Sequence, residues 1–512
     1  MQDASADATP QEWPQLLVQT INLLQASDDT SRFAGLSFLR SLLDGSERLR
    51  NDPEVVSKFW DAIPRKFLAR LLKAQSLDDA KRLNEIAVAV IHTFVSLLPR
   101  NKIPIDQKFT ALCIPIADAT PRLDAAPRIQ AFQVLQALAH EESNLQLVGD
   151  SLAPWQRLTS GDEVAVREYG RLIQIMRNIS GLKGNQLDYV DSLSAEMVSE
   201  NKPTNRKPLF EALTTIYQDT GITHAVLAER IIAAIQETIL VSKPTPSTIR
   251  ATINLAAVVV HHPTPRANLN TLLLTKPASL PDDPNKTFAY IFPTLLTTEI
   301  RSTLPTLLDR LALPTYPQTS LNTANAYDLL TAFTAFLTNP LPPTLHPVAL
   351  LTLRNDLHHT ITQTAEFLRH RYDAASTAAP GLSADARRDL RVTADWRSAR
   401  PVRALTWDSP AFDVFDDPIV VSGLRWLAIW IREDEDEELR EVVGGMVDVL
   451  LDIVGREVSE GLKISVCVIL AVLISGEEAA EAVKAAGRTN TSESGAATFL
   501  AGTRAAVRGE EV

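Results

Sequence analysis

The sequence predicts an all-α protein, and three observations support this prediction. Apolar residues recur at helical spacing, as Phe33, Leu36 and Leu39 do within residues 27–72. The apolar fraction is 45% but aromatic residues make up only 6%, so aliphatic side chains must form most of the core. No segment shows sustained alternation of apolar and polar residues between hairpin turns, so strands have little support. This composition favours helices packed on helices.

Residues 27–72 illustrate how the predicted helices begin and end. Ser27 or Asp28 can cap the first helix, because short polar side chains accept hydrogen bonds from free N–H groups at a helix start. Asp52-Pro53 marks a second start, with proline at the first helical position. Each helix is too short to be stable alone in water, so it must bury its apolar stripe on its neighbours.

Changes in composition divide the rest of the chain into segments. The predicted segments are a disordered leader (1–12), N-terminal helical repeats (13–200), central Pro/Thr-punctuated repeats (201–372), a flexible loop (373–404), C-terminal repeats (405–487) and a disordered tail (488–512). Irregular helix pairs of roughly forty residues are typical of armadillo and HEAT repeats. The chain of 512 residues also exceeds the size at which one compact core keeps growing. The sequence therefore predicts an armadillo/HEAT-like α-solenoid superhelix.

Charge and cysteine content restrict the function and the location. The formal net charge of -12 argues against a nucleic-acid partner, which usually requires a basic surface. Cys113 and Cys467 are far apart in apolar stretches, so we predict buried thiols rather than a disulfide. The N-terminus lacks the pattern of a signal peptide. The longest apolar run, 464–474, is about half the length of a bilayer span. These features predict a cytoplasmic protein without an integral membrane segment.

Several segments resemble the neurochondrin family, in its fungal form. The matching segments are Asp28 to Phe33 with Leu39, Leu42 and Leu43; Phe67 to Leu72; Ile300 to Thr303; Glu366 to Arg369; and Arg425 to Asp434. They are packing motifs, and the resemblance extends over most of the chain. It implies an armadillo-like, cytoplasmic, non-enzymatic scaffold with no catalytic residues to map. Animal members are associated with signalling and neurite outgrowth, and a neural role does not carry over to a fungal-type sequence.

Two groups of charged residues are candidate partner-binding positions. The first is an acidic run that would attract a basic partner, composed of Glu433, Asp434, Glu435, Asp436, Glu437 and Glu438. The alternative is that these carboxylates stabilise the start of a helix near Glu437. The second group is Arg32, Arg301 and Arg425, which lie beside apolar helix faces. They would form either a ligand-facing row on a concave surface or intramolecular ion pairs.

The sequence predicts no catalytic residue, no cofactor and no metal ligand. His359, Glu366 and His370 fall roughly on one helix face, but His359 and Glu366 are two turns apart and the compact HExxH spacing is absent. We therefore expect a solvated polar face. Phosphate-binding loops, nucleophile elbows and Cys–His zinc spacings do not occur either.

The residues and the resemblance together predict a non-catalytic protein–protein interaction scaffold that acts in signalling or in complex assembly. Solenoids expose long grooves formed by successive repeats, and the partner would be a protein segment of unknown identity. The alternative is a peripheral membrane or trafficking adaptor. That function requires an exposed basic or amphipathic face, and the net acidity argues against it.

Overall fold

Helices are the only regular elements in the part of the chain that the computed structural model describes. The described residues are 13–74, 80–152, 162–179, 182, 184–200, 206–222, 224–240, 244–261, 265–274, 287–338, 347–378, 409, 411–434 and 436–475. The predicted leader (1–12), the tail (488–512) and residues 379–404 of the predicted loop lie outside them.

The first compact unit spans Met1–Ala234. Its helices are α1 (Trp13–Gln25), α2 (Asp29–Gly45), α3 (Glu47–Arg50), α4 (Pro53–Ala62), α5 (Arg65–Leu72), α6 (Ala80–Leu97), α7 (Gln107–Ala119), α8 (Ala125–Leu138), α9 (Leu145–Ser151), α10 (Glu163–Arg177), α11 (Asn185–Glu200), α12 (Lys207–Tyr217) and the first part of α13 (Ala225–Leu240). Asp28 caps α2 and Asp52 caps α4, as their side chains accept hydrogen bonds from backbone N–H groups of the first turn.

Most of the helices from α4 to α12 pack on the next helix but one in chain order. One row is formed by α4, α6, α8, α10 and α12, in which each helix contacts the next. A second row is formed by α5, α7 and α9, and contacts of α5 with α6 and of α7 with α8 join the two rows. Two joined rows of short helices are the layout of an armadillo/HEAT-type solenoid.

Trp60 is at the centre of the aromatic core of this unit. Its ring stacks on Phe109 with centroids 4.1 Å apart and lies 5.1 Å from the ring of Phe94. The indole N–H donates a hydrogen bond to Asp106 over 2.8 Å. These contacts join α4, α6 and α7, because the four residues come from those helices and from the cap of α7.

Lys108 is held against this core and has an altered proton affinity. Its ammonium group lies 4.0 Å from the centroid of the Trp60 ring and donates a hydrogen bond to the Trp60 carbonyl oxygen. Burial lowers the pKa of Lys108 from 10.5 to about 8, while the carboxylates of Asp106 and Asp61 oppose the shift.

This shift predicts that the stability of the protein rises with pH in the alkaline range. The folded pKa is below the unfolded value, so the unfolded chain binds more protons between about pH 8 and 10.5, and deprotonation there favours the folded state. Relative to Lys108→Met, the wild-type protein should gain up to about 3 kcal/mol over this range. Urea unfolding of both proteins at several pH values measures the difference. Parallel curves of stability against pH would contradict the prediction.

The second compact unit spans Ile235–Val512. Its helices, after the end of α13, are α14 (Pro246–His261), α15 (Pro265–Leu274), α16 (Phe288–Leu307), α17 (Tyr316–Leu337), α18 (Pro347–Ala378), α19 (Pro418–Glu433), α20 (Glu437–Gly444), α21 (Val447–Gly455) and α22 (Glu460–Ser475). Helix α18 continues to Ala378, although the sequence predicts a loop from residue 373. The i,i+4 pair of Arg369 with Asp373, 3.2 Å apart, supports this last part of the helix. The division into three blocks of repeats stays a prediction.

This unit also consists of two rows of helices. One row is α14, α17, α19 and α22, and the other is α16, α18 and α20. Asn254 of α14 exchanges amide hydrogen bonds with Asn322 and Asn325 of α17, each 2.9 Å long. In both units, then, successive helices stack in two rows, which confirms the predicted all-α, armadillo/HEAT-like architecture. No helix in the described ranges is long and apolar enough to cross a bilayer.

A buried polar cluster lies where α19 begins. Asp417 and Arg371 are fully buried, and the Arg371 Nε atom donates to the Asp417 carboxylate over 3.2 Å. Ser320 Oγ donates to the other carboxylate oxygen over 2.5 Å, and the Tyr316 hydroxyl also donates to Asp417. Residues of α17 and α18 thus fix the start of α19.

Candidate partner-binding surfaces

A groove lies between α2 and α6 in the first unit. Both helices contact α5: the rings of Phe33 and Phe67 meet edge to face at 5.4 Å, and α6 packs on α5. The groove has a volume of about 560 Å³. Its lining consists of Phe33, Leu36, Ser37, Leu39, Arg40, Leu43, Asp44, Arg82, Glu85, Ile86, Ala89, Val90, Thr93, Phe94, Pro127 and Gln130. We call this surface the α2–α6 groove.

The floor of the α2–α6 groove is apolar because both helices carry apolar residues on the sides that face it. Leu36, Leu39 and Leu43 recur along α2 and are nearly fully buried. On α6, Ile86 and Val90 are half-buried and form the opposite wall. The apolar surface that the groove leaves open to a partner is therefore mainly that of Ile86 and Val90 on α6.

The rim of the α2–α6 groove carries charges of both signs. On α2, Arg40 and Asp44 form an exposed i,i+4 ion pair with nitrogen and oxygen 3.5 Å apart. On α6, Arg82 is exposed, and Glu85 accepts a weak hydrogen bond from the backbone N–H of Asp124 over 3.5 Å. Exposed pairs of this kind contribute little to folding, so these side chains are available to contact a charged partner.

Arg32 makes contacts within the first unit. Its guanidinium group lies 2.9 Å from the Asp29 carboxylate and 5.6 Å from the centroid of the Phe67 ring. Arg70 contacts the same Asp29 oxygen over 2.6 Å. The side chain of Arg32 is only 15% exposed, which limits the surface that it can offer to a ligand.

Arg301 and Arg425 each pair with an aspartate of a neighbouring helix in the second unit. Arg301 of α16 lies 3.6 Å from Asp356 of α18, and Arg425 of α19 lies 2.9 Å from Asp328 of α17. Asp328 also lies 3.9 Å from His261 of α14. The two arginines belong to different rows of helices, so they do not form one continuous row. Their role in partner binding stays a prediction.

The acidic run is divided between internal and exposed carboxylates. Asp434 is buried and accepts a hydrogen bond from Arg354 over 3.0 Å. One oxygen of Asp436 caps α20 by accepting from the N–H groups of Glu438 and Leu439. The exposed members are Glu433, Glu437 and Glu438, whereas Glu435 lies outside the described residues. The exposed carboxylates remain candidates for contact with a basic partner.

His358 of α18 lies beside the acidic run. Its Nδ1 atom is 3.8 Å from Asp434, and its Nε2 atom is 3.9 Å from Asp436. The neighbouring His359 instead contacts Gln363 over 3.3 Å, and Glu366 and His370 are exposed. The sequence does not reveal the position of His358, because its partners are far from it in the chain.

Known structures that match this chain have low sequence identity to it. A chain from work on a phosphorylation switch that controls the interaction between cadherin and beta-catenin has a TM-score of 0.47 at 12% identity, covering 99% of this chain and 94% of that one. The crystal structure of SYS-1 has a TM-score of 0.33 at 12% identity, covering 97% and 74%. A homology model of the AP-3 complex has a TM-score of 0.32 at 12% identity, covering 98% and 84%.

Sequence comparison identifies the family. The family model for neurochondrin matches residues 11–116 and 221–466, which is more than half of the chain. No curated protein matches the sequence. The two matched ranges include α2, α6 and most of the second unit.

Proposed function

The chain belongs to the neurochondrin family, and from this we propose that it is a non-catalytic, helical-repeat scaffold that binds other proteins. We further propose that it acts in the cytoplasm, in signalling or in the assembly of complexes. The observation that supports this function best is the α2–α6 groove, which combines an apolar floor with a charged rim.

The occupant that fits this groove is an amphipathic α-helix of a partner protein. Leu36, Leu39 and Leu43 extend over about 10 Å of α2, or two helical turns. A partner helix would place its apolar side above this floor and against the half-buried Ile86 and Val90 of α6, which is the helix-in-groove mode of recognition. Because the rim carries arginines and carboxylates, the partner helix should carry charges of both signs beside its apolar side.

A substitution on the wall of the groove should weaken partner binding. Ala89→Arg places a long charged side chain in the groove, so we expect the affinity for groove-bound partners to fall about tenfold or more, or about 1.4 kcal/mol. Ala111→Arg is the matched control, because Ala111 is exposed on α7 and does not line the groove. Quantitative mass spectrometry of proteins that co-purify with each variant measures the effect.

The position of the partner can be tested with a photo-crosslinking amino acid in place of Val90. Crosslinked peptides should come from amphipathic helical segments, and Ala89→Arg should abolish them. Equal recovery of every partner with both arginine variants would overturn the groove as the binding site. Flotation of the protein with acidic liposomes, without protein partners, would favour the peripheral membrane adaptor instead.

We also propose that the exposed carboxylates Glu433, Glu437 and Glu438 contribute a weaker, charge-dependent contact with a basic partner. Charges exposed to solvent are screened over about 10 Å at 0.1 M salt, so this contact should weaken as ionic strength increases.

A further inference from the structure

Three side chains that can each donate a metal ligand converge where α18 meets the start of α20. They are His358 of α18, Asp436 before α20 and Glu438 in its first turn. One ligand atom from each lies within 4.8 Å of the other two. His358 and Asp436 are half-buried and Glu438 is exposed.

The spacing is close to what a metal ion requires. Zinc binds imidazole nitrogen and carboxylate oxygen at about 2.0–2.2 Å, so neighbouring ligand atoms in a tetrahedral site are about 3.4 Å apart. The Nε2 atom of His358 is 3.9 Å from the free carboxylate oxygen of Asp436. Bringing the three ligand atoms from within 4.8 Å of one another to this spacing requires shifts of about 0.5–1.4 Å. The exposed side chain of Glu438 and the half-buried side chains of His358 and Asp436 would make these shifts by rotation around an ion.

Asp434 provides an independent observation. Its side chain is only 6% exposed, and its Oδ2 atom accepts no hydrogen bond in the described structure. Arg354 holds the other carboxylate oxygen, so Oδ2 is directed at the Nδ1 atom of His358, 3.8 Å away. A metal-binding histidine almost always donates its second ring N–H to a carboxylate, which fixes the orientation of the ring. Asp434 is in the position of that carboxylate.

We propose that His358, Asp436 and Glu438 bind a divalent transition-metal ion of the zinc class, with Asp434 orienting the imidazole. One histidine and two carboxylates suit Zn²⁺, whereas Mg²⁺ prefers oxygen ligands alone. The site leaves one coordination position for water or for a ligand from a partner. Binding would connect α18 with α20 across a long separation in the chain.

The direct test is Zn²⁺ binding by the full chain, measured by equilibrium dialysis with elemental analysis. We expect one ion per chain at the site, and no comparable binding of Mg²⁺. His358→Gln and Glu438→Gln should each lower the affinity about tenfold or more. The matched controls are His359→Gln and Glu437→Gln. His359 follows His358 and Glu437 precedes Glu438 in the sequence, both are exposed, and neither belongs to the cluster.

A second readout is thermal unfolding with and without Zn²⁺. The ion should raise the melting temperature of the wild type and of both control variants, and should have little effect on His358→Gln and Glu438→Gln. Both ligand variants change side chains that are not buried, so we expect them to fold. Zn²⁺ binding that is equally strong in all five proteins, or no saturable binding, would overturn the proposal and leave His358 as an ion-pair partner of the two aspartates.

Discussion

Replacing Asp417 by Ala is expected to destabilise the second unit by about 3–5 kcal/mol, because it leaves the buried guanidinium of Arg371 without its carboxylate. The hydroxyls of Tyr316 and Ser320 lose their acceptor at the same time. Losing the carboxylate of a buried ion pair costs more than losing a surface pair, because burial prevents solvent from replacing the lost partner.

Hydrogen exchange detected by mass spectrometry is the suitable measurement, as it reports on the two units separately. Asp416→Ala is the matched control, because Asp416 is the exposed neighbour of Asp417. The double variant Arg371→Met/Asp417→Leu should recover part of the loss, since replacing a whole buried pair by apolar residues is often close to neutral. If Asp417→Ala exchanged like Asp416→Ala, the network would have no role in holding the start of α19.

Replacing Trp60 by Ala is expected to destabilise the first unit by about 3–5 kcal/mol, which is the usual cost of removing a buried large aromatic side chain. The variant loses the stacking on Phe109, the contact with Phe94 and the hydrogen bond to Asp106. The cavity would lie between α4, α6 and α7, so all three helices should lose protection from exchange.

The control for Trp60→Ala is Phe38→Ala, because Phe38 is an aromatic residue of the same unit that is 52% exposed. It should cost less than about 1 kcal/mol. Hydrogen exchange and urea unfolding followed by circular dichroism measure both variants. An equal loss of stability in the two would mean that the aromatic cluster around Trp60 does not hold the unit together.

The fold class could be predicted because its signals are local. Asp28, Asp52 and Pro53 mark helix starts through interactions that extend over three residues, and the structure places caps at both aspartates. The apolar spacing of each helix likewise depends only on neighbours in the chain. These signals do not include any information about which helices pack together.

The candidate surfaces depend on packing between distant helices and could not be predicted. The sequence shows that α6 is apolar, but its buried side is formed by residues such as Ala87 and Ile91, while Ile86 and Val90 line the groove. In the sequence, an apolar residue at helical spacing looks the same whether it is buried against a neighbouring helix or lines a groove. Two further contacts form only because the helices stack in rows. Arg425 pairs with Asp328, and His358 lies beside Asp436, although the residues of each pair are far apart in the chain.

The contacts along the first row of the second unit also fix the polarity of its helices. Asn254 and His261 of α14 meet Asn322 and Asp328 of α17 in the same order along both helices. Ser320 and Asp328 of α17 meet Asp417 and Arg425 of α19 in the same way.

Three successive helices of this row therefore run parallel, so the chain must return along the length of one helix before each next member of the row begins. Removing a single return helix would reverse the direction of every helix that follows. The row can thus be lengthened or shortened only by complete out-and-back modules, whereas the connecting segments can change in length without altering the stack.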